Sequence, residues 1–96
     1  MKAEIFNISG WINSTDELII KSYFDNLLEK SGFTILNYQS HQFKPIGYTG
    51  LWLLSESHFA VHTFPEENKS YIELSSCNYD FYEKFKFECG VFWHCW

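Results

Sequence analysis

The spacing of hydrophobic residues changes several times along the chain, and each change marks an element. In Lys2–Ile8 the apolar Ile5, Phe6 and Ile8 are mixed with polar residues, the pattern of a first strand, closed by Ser9-Gly10. Ser14-Thr15-Asp16-Glu17 has the form of a capping box, with the Ser14 hydroxyl accepting from the backbone three residues on and Glu17 reaching back. Ile20, Tyr23, Phe24, Leu27 and Leu28 then recur at i, i+3, i+4, i+7 and i+8. They form one stripe of a helix, with Lys30 in its last turn and Gly32 as its left-handed stop. Strand-like segments follow at Phe33–Phe43, Tyr48–Leu54, His58–Phe64 and Tyr71–Ser76. The connections between them leave no room for crossover helices, so the pairing is antiparallel. Asp80–Glu88 is predicted as a second helix, and the aromatic tail Cys89–Trp96 as a last edge strand.

This order of elements predicts an α+β fold, a two-layer sandwich in which helices cover one face of an antiparallel sheet. Along Tyr71–Ser76, Ile72 and Leu74 point to one face, and Tyr71, Glu73 and the following Cys77 to the other. With helices on the apolar face, the second face is left to solvent or to another subunit. The 10 Phe, 6 Tyr and 4 Trp favour a subunit, giving a dimer of four layers, αββα. No repeat or linker divides the 96 residues, so 1–96 reads as a single domain.

Charge and composition narrow the function. Twelve acidic against seven dispersed basic residues give a net charge of −5, with no basic stripe to neutralise a phosphate backbone, so nucleic acid is not an expected partner. No apolar run approaches the roughly 20 residues that span a bilayer, and the first residues lack the order of a signal peptide. The expectation is a cytoplasmic protein without membrane contact. Cys77, Cys89 and Cys95 are odd in number and form no CxxC pair, which fits neither a secreted disulfide framework nor a zinc ribbon.

Chemically able side chains are densest from Ser55 to Glu66. Taken singly, His58 and His62 read as ordinary strand histidines. As a His-x3-His metal pair they have spacing that converges on one ion only on a helix, and this segment reads as a strand. A Ser-His-Glu hydrolase lacks the Gly-x-Ser-x-Gly elbow. No metal is therefore expected.

As a set, these residues say more. Glu56-Ser57-His58, His62-Thr63, Pro65-Glu66 and a cysteine twenty residues after Ser57 follow Thr34-Ile35-Leu36-Asn37, His41-Gln42-Phe43 and Gly47-Tyr48-Thr49-Gly50. In this order and spacing the chain resembles the prokaryotic S-adenosylmethionine decarboxylases, pyruvoyl-dependent enzymes made as proenzymes. The resemblance starts near Lys2, is strongest from Thr34 to Cys77 and fades afterwards. It implies self-cleavage between Glu56 and Ser57 into chains 1–56 and 57–96, with Ser57 attacking the Glu56 carbonyl and ending as the pyruvoyl group. It further implies His62 as processing base and Thr49 as a hydroxyl that assists.

In the reaction so implied, the pyruvoyl carbonyl takes up the substrate amine as a Schiff base and absorbs the carbanion left by departing CO2. Cys77 returns the proton. A thiol suits that task, being mostly protonated yet readily polarised near neutral pH, with an ordinary pKa of about 8.5. Cys89 and Cys95 read as small buried hydrophobes. The resemblance places Phe43 against adenine, Phe59 and Phe64 in the pocket wall and Glu66 on the ribose hydroxyls, all contributed by the partner subunit of a homodimer with shared active sites. The activity implied is conversion of S-adenosylmethionine to its decarboxylated form, the aminopropyl donor for spermidine synthesis. A pyruvoyl decarboxylase of ornithine or arginine, and an unprocessed homologue that binds ligand or a paralogue, are the alternatives.

Some features depart from the pattern. Phe64 replaces a common tryptophan, Glu67-Asn68-Lys69 lacks a tyrosine-rich run, and Asn78 replaces a common glycine. The resemblance also implies a full helix and a further strand after Cys77, where 19 residues follow; the expectation is a sheet that ends early or is completed by a partner. Ser57 and His62, five apart, fall on opposite faces of an uninterrupted strand, so the resemblance requires that the strand begin after Ser57 or be broken by a bulge.

Overall fold

The computed structural model describes residues 3–92. Five strands, β1 (Phe6–Ile12), β2 (Ile35–Gln42), β3 (Tyr48–Leu54), β4 (Ser57–Phe64) and β5 (Lys69–Ser76), form one antiparallel sheet in the order β1-β5-β4-β3-β2. Helices α1 (Glu17–Lys30) and α2 (Tyr79–Phe92) cover one face, as the alternation of apolar residues requires. Even-numbered residues of β1 and β3 and odd-numbered residues of β4 point toward the helices.

The core centres on Phe24 of α1. Its ring lies 4.6 Å from Phe59 of β4 and 6.4 Å from Phe85 of α2, and Phe59 lies 5.3 Å from Trp52 of β3. All four rings are fully buried. Each such burial is worth about 1.5–3 kcal/mol, so this cluster ties both helices to the central strands. The Trp52 indole N–H donates to Asp25 of α1 at 2.8 Å, which fixes the helix rotation over the sheet.

Several element boundaries differ from the sequence reading, each for a tertiary reason. β1 does not close at Ser9-Gly10 but runs on to Ile12, because Trp11 and Ile12 find partners in Tyr71 and Ser70 of β5. Ser14 does not cap α1. Asp16 does, accepting from the Ile19 N–H at 3.2 Å, while the Ser14 carbonyl accepts from the Ser70 hydroxyl at 2.6 Å. Glu17, expected to reach back to the cap, instead accepts from the Tyr38 hydroxyl at 3.0 Å and from the Gln42 side-chain amide. The expected edge strand from Cys89 is corrected over Cys89–Phe92, which continue α2 because Phe85 and Cys89, four apart, share its buried stripe. The rest of that expectation, Trp93–Trp96, lies outside the described residues. Among the described residues no helix is long and apolar enough to cross a membrane.

The contact of Tyr38 with Glu17 has a measurable consequence. Burial first, and then the hydrogen bond to the Glu17 carboxylate, push the Tyr38 hydroxyl up to about 12. Burial, with the neighbouring Tyr38 and Glu17, raises Tyr48 as well. A folded-state pKa above the unfolded value of about 10 means stability that is complete below pH 10 and is lost as pH rises through about 12. Thermal unfolding followed from pH 8 to 12 is expected to show this alkaline loss. Tyr38→Phe, which removes one titrating group, is expected to make the decline shallower.

Candidate functional site

The predicted residues gather in two groups at opposite ends of the sheet. The first is built on the two-residue turn between β3 and β4. Direct pairing of Ser57 with Ser76 brings the end of β5 beside this turn, so residues 19 and 21 apart in sequence meet. The exposed Cys77 thiol donates to the carbonyl oxygen of Glu56 at 3.3 Å. Glu56 itself holds φ at +62°, in the left-handed region. Asn68, the other non-glycine residue there among the described residues, is a type that tolerates it; a glutamate in that conformation carries about 1–2 kcal/mol of strain. Ser57 opens β4 with its side chain turned toward the helix layer, only 8% exposed, and donates to the Ser76 hydroxyl at 2.8 Å.

The second group lies on the open face. Direct cross-strand pairing lines up Trp11, Tyr71, His62, Thr49 and His41 in one row spanning all five strands. His62 Nδ1 lies 3.0 Å from the Thr49 hydroxyl, and its ring is nearly parallel to Tyr71, with centroids 6.4 Å apart. Phe43, half exposed, stands 4.8 Å from His41, and Phe64 stands 5.9 Å from Trp11. The 3-10 turn Pro65–Glu67 carries the exposed Glu66 at the same end of the sheet. Thr49, His62, Phe43, Phe64 and Glu66 are thus collected at one end, and Glu56, Ser57 and Cys77 at the other.

Within one chain these groups do not meet. β4 begins at Ser57 and pairs with both neighbours without a register shift, so neither the later start nor the bulge required above is present. Ser57 and His62 therefore face opposite sides and stand roughly 17 Å apart along the strand. His58 shares the open face with His62 but lies four residues away, about 13 Å, too far for both to hold one ion. Phe59, expected in a pocket wall, is corrected to a core residue: as an odd-numbered position of β4 it points into the helix layer and is fully buried by Phe24, Trp52 and Phe85.

The open face also carries Leu51 and Leu53, each more than half exposed, and with Asn37, Gln39 and His58 they line a groove of about 330 Å³. A larger cavity, about 510 Å³, sits on the helix side beside Ile12, Ile20 and Tyr23 and is lined by neither group. Ser76, Trp11 and Tyr71 were not singled out from sequence for this site. Their positions follow from strand register, which no local pattern encodes.

Comparison with known proteins identifies the family and the fold. The family model described as S-adenosylmethionine decarboxylase covers residues 4–89. The S-adenosylmethionine decarboxylase proenzyme of Prochlorococcus marinus (strain MIT 9313) is 37% identical over 62 residues, 65% of this chain and 50% of that protein. The proenzyme of Thermosipho melanesiensis is 35% identical over 78 residues, covering 81% of this chain and 59% of the relative. The chain spans about half the length of the first of these curated relatives. The crystal structure of the adenosylmethionine decarboxylase from Aquifex aeolicus shares the fold, with a TM-score of 0.68 over 88% of this chain and 79% of that one, at 21% identity. With a single family model running through all five strands and into the last helix, the chain belongs to the S-adenosylmethionine decarboxylase family.

Proposed function

We propose that this chain is a self-processing, pyruvoyl-dependent S-adenosylmethionine decarboxylase that works as a cytoplasmic homodimer. The observation that carries the reading is the contact of the Cys77 thiol with the carbonyl oxygen of a left-handed Glu56, immediately before Ser57. The Ser57 hydroxyl oxygen adds to the Glu56 carbonyl carbon, the carbon–nitrogen bond breaks, and the hydroxyl proton passes to the Ser57 nitrogen, leaving an ester. Release of the Glu56 backbone strain favours this shift, and the thiol faces the oxygen on which negative charge develops. Loss of the Ser57 α proton then expels the Glu56 carboxylate, and hydrolysis with release of ammonia leaves chain 57–96 beginning with a pyruvoyl group. That group supplies a carbonyl electron sink for decarboxylation.

The base for the α proton is His62. Its Nδ1 is held 3.0 Å from the Thr49 hydroxyl, and the tautomer that donates from Nδ1–H to Thr49 has its Nε2 lone pair free to act as the base. Since His62 and Ser57 are about 17 Å apart in one chain, the base comes from the partner subunit. Packing the two open faces together covers Leu51 and Leu53 and supports a site shared between protomers. The same end of the partner's sheet supplies Phe43 and Phe64 as flat surfaces for adenine and Glu66 as acceptor for ribose hydroxyls, a set suited to a nucleoside rather than to ornithine or arginine. Cys77 has a second duty, returning a proton to the substrate carbon after CO2 departs.

The intact mass of freshly purified protein under denaturing conditions tests the reading. Two species are expected, matching 1–56 and 57–96, the second lighter by one ammonia than a serine-started chain. Release of CO2 from S-adenosylmethionine, and not from ornithine or arginine, then assigns the substrate. A full-length mass that persists on incubation overturns self-processing.

A further inference from the structure

We infer that Ser76 is a positioning residue for the nucleophile of self-cleavage, setting the direction of the Ser57 hydroxyl; the inference rests on the self-cleavage proposed above. Ser76 is the direct cross-strand partner of Ser57 and, at 1% exposure, one of few fully buried polar side chains among the described residues. A buried hydroxyl is retained at a cost unless its bonds are made, and those of Ser76 are specific. Its oxygen accepts from the Ser57 hydroxyl at 2.8 Å and from the Asn78 backbone N–H at 2.9 Å, while its own proton is directed at the Asn78 carbonyl at 3.4 Å. Asn78 is in turn held in place, its side-chain oxygen accepting from the Phe81 N–H at 3.0 Å at the start of α2.

The chain of bonds therefore runs from the start of α2 through Asn78 and Ser76 to Ser57. Its chemical consequence lies in the hydroxyl proton. Because Ser57 donates to Ser76, its proton points into the protein and its lone pairs are left toward the peptide it must attack. A serine whose proton is unconstrained spends part of its time donating elsewhere, including to the Glu56 carbonyl oxygen, a geometry that points no lone pair at the carbon. Restricting one rotor in this way is an orientation effect, and misorientation of a reacting group is costly in rate. The hydrogen bonds of Ser76 go to Ser57 and Asn78 and not to the scissile carbonyl, so it acts through Ser57. It does not enter the second stage of the enzyme's life, since Ser57 no longer has a hydroxyl once converted.

The test is the first-order rate of precursor cleavage, read by intact mass after synthesis of the uncut chain. Ser76→Ala is expected to slow cleavage at least tenfold. The isosteric pair Ser76→Thr and Ser76→Val, which add the same volume, is expected to differ, with Thr within about threefold of the parent and Val as slow as Ala. The pair decides the question if the Ala variant does not fold. A packing defect is separated by the nucleophile: in a Ser57→Cys background, where the thiol is a weak donor and the acyl shift is read as hydroxylamine-induced cleavage, Ser76→Ala is expected to have no effect. Parental cleavage in Ser76→Ala, equal rates for Thr and Val, or an equal slowing in the Ser57→Cys background would each overturn the assignment. A parent chain that never cleaves overturns the self-processing itself, a result distinct from these.

Discussion

Ser57→Ala is expected to leave one uncut chain and to lower CO2 release from S-adenosylmethionine by at least about 10³-fold, the scale on which removing a nucleophile acts. The effect is chemical rather than structural. The Ser57 hydroxyl donates to Ser76, and losing a bond of this kind costs about 1 kcal/mol, small against the stability of a domain. The Ala variant is therefore expected to give the far-ultraviolet spectrum and the urea midpoint of a folded protein, within about 1 kcal/mol of an uncleaved parental precursor. Cleavage between residues 56 and 57 in this variant would end the mechanism proposed here. Decarboxylation by the uncut chain would show that the electron sink comes from somewhere other than Ser57.

The second large effect is a recovery rather than a loss. His62→Ala and Cys77→Ala, each made alone, are expected to lose activity by about 10²-fold or more, the usual contribution of a positioned acid or base. Co-expressed, they are expected to regain about a quarter of the parental activity. Random pairing makes about half of the dimers mixed, and each mixed dimer holds one site with an intact Cys77 from one protomer and an intact His62 from the other. Mass spectrometry of the mixture adds a sharper mark, since the His62→Ala chain, uncut when made alone, is expected to be cut when its partner supplies His62. No recovery beyond either variant alone would place Ser57 and His62 in one chain's site. That result requires β4 to rearrange, because the regular pairing of Ser57 through Phe64 holds them on opposite faces.

These expectations turn on a separation the sequence contained in part. The five-residue spacing of Ser57 and His62 already forbids a shared face in a regular strand, and this follows from the alternation of side chains alone. What the spacing leaves open is whether the strand is regular. The answer comes from the neighbours: Ser57 pairs with Ser76 and His62 with Tyr71 in one unbroken register, and no bulge is accommodated. In the same way Phe59 and Phe64 look alike in sequence, yet an odd and an even position in β4 send one ring into the core and the other to the exposed face. The capping of α1 shows the limit of local motifs. Ser14 and Glu17 have the right spacing, but each found a partner outside the helix, Ser70 and Tyr38, and Asp16 took the cap.

By itself the sequence determined the element types as far as the start of α2, the single antiparallel sheet, the buried stripe of α1 and the chemically able segment from Glu56 to Glu66, because hydrophobic period and residue type act over a few residues and are written locally. The family resemblance was legible for the same reason, as a set of spaced residue types. Only the tertiary structure decided the strand order, the left-handed Glu56 under the Cys77 thiol, the Ser57–Ser76 bond and the row from Trp11 to His41. Each of these joins residues distant in sequence through a register that one residue of slippage would invert. Register is chosen by the packing of the whole sheet against its helices, and no short segment carries that information.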